Sequence, residues 1–486
     1  MDRKFQIEKL SVRISGLRLL GLLMVLVVSE VASHISLVYP RARQYPINAL
    51  NNRVAPVGQC GMPKGNDITE LLMGSSFNVT WTVGEMHNGG FRIELLDKEY
   101  NLISTLAPPN GKSNEFVGDN WAANIGYVSL PTEVTCGRCV IRVIHQGVGP
   151  AWANPPGVTV PPGFRTCADV SIVEQATNDR SRCTNHGTWK DGVCQCDRPF
   201  VGTFCEFEEE CWDDTDCENG GQCINTHAQF YPKRQCYCPV GSFGPKCASQ
   251  SAVKDFSFQK ELYRKRSSPY GNFTFYWRIL SEIKEIEVIL EAGTTNWVGF
   301  GWRPEGLNTS CKTFPVIPKE TVSSVSKDGE VIQTVVDFQD QRFLAGPLHP
   351  MSCNDITYAA AHGQYCRVRD LYTRDISTPL PDEIFGGEQS LTAGSCYEDP
   401  VTGILHVIFR KKLQASHPTD HSINNGVMHV IWAVGEVPFI PTTDNNEVYQ
   451  EAVKPSFHRK GELNNHPHSL QTRGFFKINL ITGGSY

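Results

Sequence analysis

The chain has almost no excess of either charge: its 486 residues carry 45 Lys and Arg against 51 Asp and Glu, a net charge of −6. A balance that is small and acidic does not build the basic stripe that neutralises phosphates, so nucleic acid is not expected as a partner. Long apolar runs are also missing beyond the first thirty-odd residues. No later run approaches the roughly 20 residues needed to cross a bilayer, so the mature chain has no predicted membrane span. Helical periodicity is weak as well. Segments such as Phe77–Val83, Phe91–Leu96 and Cys139–Ile144 alternate apolar and polar residues between Gly, Pro and Asn turns, which is the pattern of half-buried strands. The predicted class is all-β, with an N-terminal immunoglobulin-like β-sandwich, small disulfide-rich modules and a second β-sandwich.

Cysteine is abundant: there are 18, an even number, and ten of them fall between Cys183 and Cys247. Apolar residues are too few in that stretch to form a core, so bridges must hold it. The start of the chain supplies a matching compartment. Arg3, Lys4, Lys9, Arg13 and Arg18 lead into the apolar run Leu19–Val28, and the small residues Ala32 and Ser33 follow, so residues 1–33 read as a signal peptide. An extracellular, secreted protein is expected, with N-glycosylation at the sequons of Asn78, Asn272 and Asn308.

Cleavage after Ser33 would make His34 the first residue. An N-terminal histidine offers a metal both its α-amino nitrogen and imidazole Nδ1, and one further imidazole completes a planar three-nitrogen set suited to copper. The segments that follow carry a resemblance. His34, the stretch Glu85-Met86-His87-Asn88-Gly89-Gly90-Phe91 and the closing Phe164-Arg165-Thr166-Cys167-Ala168-Asp169 resemble, in order, the copper-site segments of lytic polysaccharide monooxygenases. The resemblance covers residues 34–175. It implies copper as cofactor, His34 and His87 as its ligands, and Phe164 on the copper axis, where a phenyl ring gives no ligand and keeps water out. His145 and Gln146 would stand beside the metal and orient the reactants by hydrogen bonds, and Tyr39, Arg41 and Tyr45 would meet the sugar. The implied activity is oxidative cleavage of a polysaccharide, with chitin as first substrate and an external electron donor. Cys60, Cys136, Cys139 and Cys167 are expected to form two bridges, with Cys136–Cys139 and Cys60–Cys167 favoured and other pairings open.

Residues 176–250 resemble EGF-like modules. A full module, 211–247, has Cys211, Cys217, Cys223, Cys236, Cys238 and Cys247. A truncated one, 183–205, keeps Cys183, Cys194, Cys196 and Cys205 and has lost both partners of one bridge. A spacer role is expected, and calcium is not, because the calcium-binding entry pattern is missing. Residues 251–440 resemble a DOMON domain through Trp297-Val298-Gly299-Phe300-Gly301, Val368-Arg369-Asp370-Leu371-Tyr372 and His429-Val430-Ile431-Trp432. Haem-binding members use a methionine and a histidine. Here Leu307 stands near the methionine position and His429 near the other, so haem is not expected and a glycan- or protein-binding role is favoured. Residues 441–486 read as an irregular tail. Two other readings stand beside the copper enzyme: a non-catalytic adhesion protein whose partners are extracellular matrix proteins, and a haem-assisted redox protein.

Overall fold

The computed structural model describes residues 35–44, 60–83, 90–112, 115–117, 124–145, 164–226, 232–294, 297–313, 316–317, 319–325, 331–336, 347–374, 379–435 and 471–485. Among these the chain is all-β, and its only helical pieces are short 3-10 turns.

The first sandwich contains β1 (Ile35–Tyr39), β2 (Ile68–Leu72), β3 (Ser76–Val83), β4 (Phe91–Leu96), β5 (Leu102–Ala107), β6 (Ile125–Ser129), β7 (Cys136–His145) and β8 (Phe164–Val173). A three-stranded sheet, β1-β3-β6, packs on a five-stranded sheet, β2-β8-β7-β4-β5, in which only the β2–β8 pair is parallel. The alternation read from sequence decides which side chains point inward. Ile35, Leu37, Phe77, Val79 and Trp81 from one sheet meet Phe91, Ile93, Leu95, Ile141, Val143, Ala168 and Val170 from the other in a single buried cluster. Each fully buried aliphatic or aromatic side chain contributes roughly 1.5–3 kcal/mol to holding the two sheets together.

All eighteen cysteines are paired. In the first sandwich the bridges are Cys60–Cys167 and Cys136–Cys139. The disulfide-rich stretch consists of four two-stranded ladders: β9 (Gly187–Lys190) with β10 (Val193–Cys196), β11 (Phe200–Val201) with β12 (Phe207–Glu208), β13 (Gln222–Asn225) with β14 (Arg234–Tyr237), and β15 (Ser242–Phe243) with β16 (Ser249–Gln250). Its bridges are Cys183–Cys194 and Cys196–Cys205, then Cys211–Cys223, Cys217–Cys236 and Cys238–Cys247. The second set is the first-third, second-fourth, fifth-sixth order of an EGF-like module.

The second sandwich contains β17 (Arg264–Ser267), β18 (Phe273–Leu280), β19 (Glu285–Ala292), β20 (Trp297–Pro304), β21 (Glu320–Val325), β22 (Val331–Val336), β23 (Asn354–His362), β24 (Tyr365–Thr373), β25 (Leu380–Pro381), β26 (Leu391–Glu398), β27 (Leu405–Lys412), β28 (Met428–Val434) and β29 (Arg473–Ile478). The sheet β17-β18-β19-β27-β26 faces the sheet β25-β24-β23-β20-β28-β29, and β21 and β22 form a separate hairpin. The aromatic core includes Phe273 stacked on Trp432 at 4.5 Å and Phe275 on Trp277 at 5.0 Å. The bridges here are Cys311–Cys353 and Cys366–Cys396.

Two expectations are corrected. The stretch read as an irregular tail ends in a strand: β29 pairs along β28 from Met428↔Ile478 to Ala433↔Arg473, and Ile478 and Leu480 are buried. The Leu480 carbonyl accepts from the Trp277 indole at 2.8 Å, which satisfies a donor inside the core. Polar composition hid this strand because half of it faces water. The EGF-like module is likewise not a free spacer with respect to the second sandwich. Cys238 and Cys366 exchange backbone hydrogen bonds of 2.6 and 2.8 Å. Tyr237 is buried against Trp297, Ile356, Tyr358 and Leu371, and Arg367 pairs with Glu210 at 2.6 Å.

Candidate functional site

Five strand ends gather at one rim of the first sandwich. The antiparallel register pairs Ile35 with Val83 in one sheet, and Phe91 with His145 and His145 with Phe164 in the other. Two contacts show that these ends face each other across the sandwich. The Trp81 and Phe91 rings lie 4.9 Å apart, and the Leu37 amide donates to Thr166 Oγ1 at 3.0 Å. Phe164, His145, Phe91 and Trp81 are all buried there, with exposures of 6%, 1%, 7% and 1%.

The opposite strand, β6, makes room for this arrangement. A Cβ on Gly126 would lie 2.7 Å from Ile93 Cδ1 and 2.9 Å from the Phe91 ring, so only glycine lets Phe91 pack where it does.

Behind the rim, the outward face of the five-stranded sheet is buried and charged. Glu94 accepts from Arg92 Nε at 2.7 Å and from Arg142 Nη2 at 2.5 Å, and Arg92 also donates to Thr105. Burial, then the neighbouring Arg142 charge, presses the Arg165 guanidinium down to about 9. Further along β8, Asp169 holds Arg43 at 2.7 Å and accepts the Gly65 amide at 3.1 Å, close to the Cys60–Cys167 bridge. These contacts fix β4, β7 and β8 in register, and so fix the ends that carry Phe91, His145 and Phe164.

Of the residues singled out by sequence, Phe164 and His145 are brought together at this rim. His34, His87, Gln146 and Tyr45 lie outside the described residues. Tyr39 is corrected. It sits at the far end of β1, buried, stacked on Phe204 at 5.3 Å and edge-on to Phe77 at 5.8 Å, so it belongs to the packing between the first sandwich and the truncated module rather than to a sugar surface. Arg41 is half exposed and pairs with Asp67 at 3.6 Å. A cleft of about 1760 Å³ is lined by Ser36, Arg41, Thr80, Trp81, Glu206 and Arg367 among others, and so reaches the rim at Trp81. Its walls mix both charges and it does not include Phe164 or His145.

In the second sandwich His429 and Leu307 have different packing partners. His429 is buried against Phe475, with ring centroids 5.3 Å apart, and burial followed by the Arg303 charge pushes its imidazole down to about 4. Leu307 packs instead in a separate group with Cys311, Leu348 and Phe385. The ring over His429 has no donor atom, which does not suit a second axial ligand.

Sequence reading missed a buried ionic cluster. Lys411 Nζ donates to Asp355, Asp370 and Asp420 at 2.5, 2.7 and 3.1 Å, and Ser390 Oγ, with one proton to donate, lies within hydrogen-bonding distance of both Asp370 and Asp420. Asp382 is fully buried beside them, raised to about 9 by burial and then by Asp370 and Asp355. The signal was present in β27, where Val407, Phe409 and Lys411 occupy alternate inward positions and a lysine sits where a core residue belongs. The three carboxylates lie close enough together to hold an ion, but the ammonium occupies their centre. Cys211, Cys217 and Cys236, also close together, are tied up in disulfides and are not thiolate ligands.

The class these observations define is an all-β, disulfide-rich protein in which an EGF-like module stands between two sandwiches. No protein-family model matches the chain. Among curated proteins it is similar to human fibrillin-3, 30% identical over 115 residues, and to the basement membrane proteoglycan of Caenorhabditis elegans, 26% identical over 90 residues. These matches take in 23% and 18% of this chain but only 4% and 2% of the relatives. Among solved structures it matches a lytic polysaccharide monooxygenase of the AA15 class from Thermobia domestica in its Cu(I) state. That match is 23% identical with a TM-score of 0.17, covering 23% of this chain and 65% of the other.

Proposed function

We propose that the protein is secreted and that its first sandwich is a copper-dependent monooxygenase acting on a polysaccharide, chitin being the first substrate to test. The observation that carries this reading is the gathering of the ends of β1, β3, β4, β7 and β8 at one rim. His34 directly precedes Ile35, and His87 lies four residues from Val83 and four from Phe91. The donor set fits copper: a free α-amine and two neutral imidazoles, with a buried phenyl ring rather than a further ligand at Phe164. Bound copper would supply one-electron chemistry toward dioxygen or peroxide, with electrons from an external donor. In this reading His34 would hold the metal through its amine and imidazole nitrogens, His87 would complete the donor set, the Phe164 ring would keep water from the metal, and His145, with Gln146 beside it in sequence, would orient reactants by hydrogen bonding. The EGF-like modules and the DOMON-like second sandwich then serve as accessory parts, with N-glycans on Asn78, Asn272 and Asn308. The nine disulfides fit the extracellular location.

The test uses secreted protein whose N-terminus has been sequenced. Wild type should bind one Cu(II) with a nitrogen-rich paramagnetic spectrum and, with a reductant, release oxidised oligosaccharides. His87→Ala should lose both. Equal copper affinity in the two proteins would remove His87 from the site, and a mature chain starting elsewhere than His34 would remove the amine.

A second reading, a non-catalytic protein that binds glycans or extracellular matrix partners, is favoured by the similarity to fibrillin-3 and the basement membrane proteoglycan and by the docked EGF-like module. Retention on a polysaccharide or matrix protein with no oxidised product would support it over the first.

A further inference from the structure

Asn78 and Tyr127 face each other across the β3–β6 pair. Phe77, Val79 and Trp81 turn into the core, with exposures of 3%, 0% and 1%, so Asn78 and Thr80 point outward. The register sets Asn78 opposite Tyr127 and Thr80 opposite Ile125, on that same outward face. Tyr127 is 69% exposed and Ile125 50%, and among the described residues β6 is the edge of its sheet. Asn78-Val79-Thr80 is a glycosylation sequon. An apolar, unpaired edge is a site for unwanted strand pairing unless something covers it.

We propose that the Tyr127 ring is the platform on which the first N-acetylglucosamine attached to Asn78 lies, so that the glycan covers the Tyr127–Ile125 patch and the β6 edge. This rests on the glycosylation of Asn78 stated above. Directly opposed side chains on neighbouring strands have Cβ atoms about 4.5–5.5 Å apart, within reach of an aromatic ring. A pyranose presents a C–H face that an aromatic face accepts, whereas a neighbouring charge would keep it solvated. Attachment is a group transfer from a lipid-pyrophosphate oligosaccharide donor. The bond from Asn78 Nδ2 to the sugar C1 forms, the C1–O bond to pyrophosphate breaks, and the amide gives up one proton, keeping the other.

The experiment uses full-length protein secreted from eukaryotic cells, with its glycans trimmed enzymatically to a single N-acetylglucosamine. Mass spectrometry should find that sugar on Asn78. Tyr127→Ala should lower the melting midpoint of the first sandwich by about 2 °C. Tyr127→Phe should not, and Tyr127→Ala should cause no such drop in an Asn78→Gln background. In carbon–proton spectra the sugar C–H signals of unsubstituted protein should be shifted upfield by the ring, a readout that needs no variant to fold. An unmodified Asn78, equal melting shifts in both backgrounds, or unshifted sugar signals would each overturn the proposal. Copper affinity is expected to be unchanged in all of these proteins, so failure here is distinguishable from failure of the copper reading.

Discussion

Replacing Lys411 by methionine removes the single ammonium that three buried carboxylates share, while keeping much of the side chain's volume in contact with Trp302. Lys411 Nζ lies within 3.1 Å of oxygens on Asp355, Asp370 and Asp420, and its side chain is 3% exposed. Breaking a buried ion pair by deleting one partner typically costs about 3–5 kcal/mol, because the remaining charges stay desolvated. Here the cost should depend on pH, and its sign follows from the carboxyls. Burial raises Asp355 well above the usual carboxylate value and Asp382 to about 9. A carboxyl that holds its proton in the folded state longer than in the unfolded state stabilises the fold most below the unfolded pKa, near 4. That stability is lost as pH rises toward the folded pKa, at up to about 1.4 kcal/mol per unit. Lys411 opposes this loss by favouring the ionised forms. Without it the carboxyls shift further up, so Lys411→Met should cost little near pH 4–5 and about 3–5 kcal/mol at pH 8. Denaturant unfolding of the second-sandwich transition at the two pH values measures it. A destabilisation of equal size at both would refute the electrostatic account and leave only a packing defect.

Gly126→Val should displace Phe91 and destabilise the first sandwich by about 1–3 kcal/mol, the usual cost of overpacking, and should weaken copper binding along with it. Unfolding and Cu(II) titration of the variant check both, and unchanged copper affinity despite lower stability would separate Phe91 from the proposed site. Removal of residues 471–486 takes away β29, the acceptor for Trp277 Nε1 and the buried Ile478 and Leu480. The second sandwich should then unfold several degrees earlier and show a red-shifted tryptophan emission, while the first keeps its midpoint.

The strands that form the rim were legible before any coordinates. The alternation of β3, β4, β7 and β8 is a linear pattern, because a strand's inward face is written every second residue. The same rule locates Asn78 on the solvent side of β3. What misled was position along a strand. Tyr39 is only five residues from His34, yet β1 carries it about 13 Å from Ile35, at roughly 3.3 Å per residue, to the end that packs on Phe204. The tail strand was missed because its pairing with β28 joins segments some forty residues apart, and no local signal encodes a partner at that distance.

The amino-acid sequence on its own determined the all-β class, the reliance on disulfides and the spacing of an EGF-like framework, since these follow from side-chain periodicity and cysteine count. Only the tertiary structure decided which strand ends share a rim, that Tyr237 seals the EGF-like module onto the second sandwich, that Lys411 meets three aspartates, and that Tyr127 stands across from Asn78. Register and sheet order make those choices. They are set by the simultaneous burial of many side chains, and no one segment holds that information.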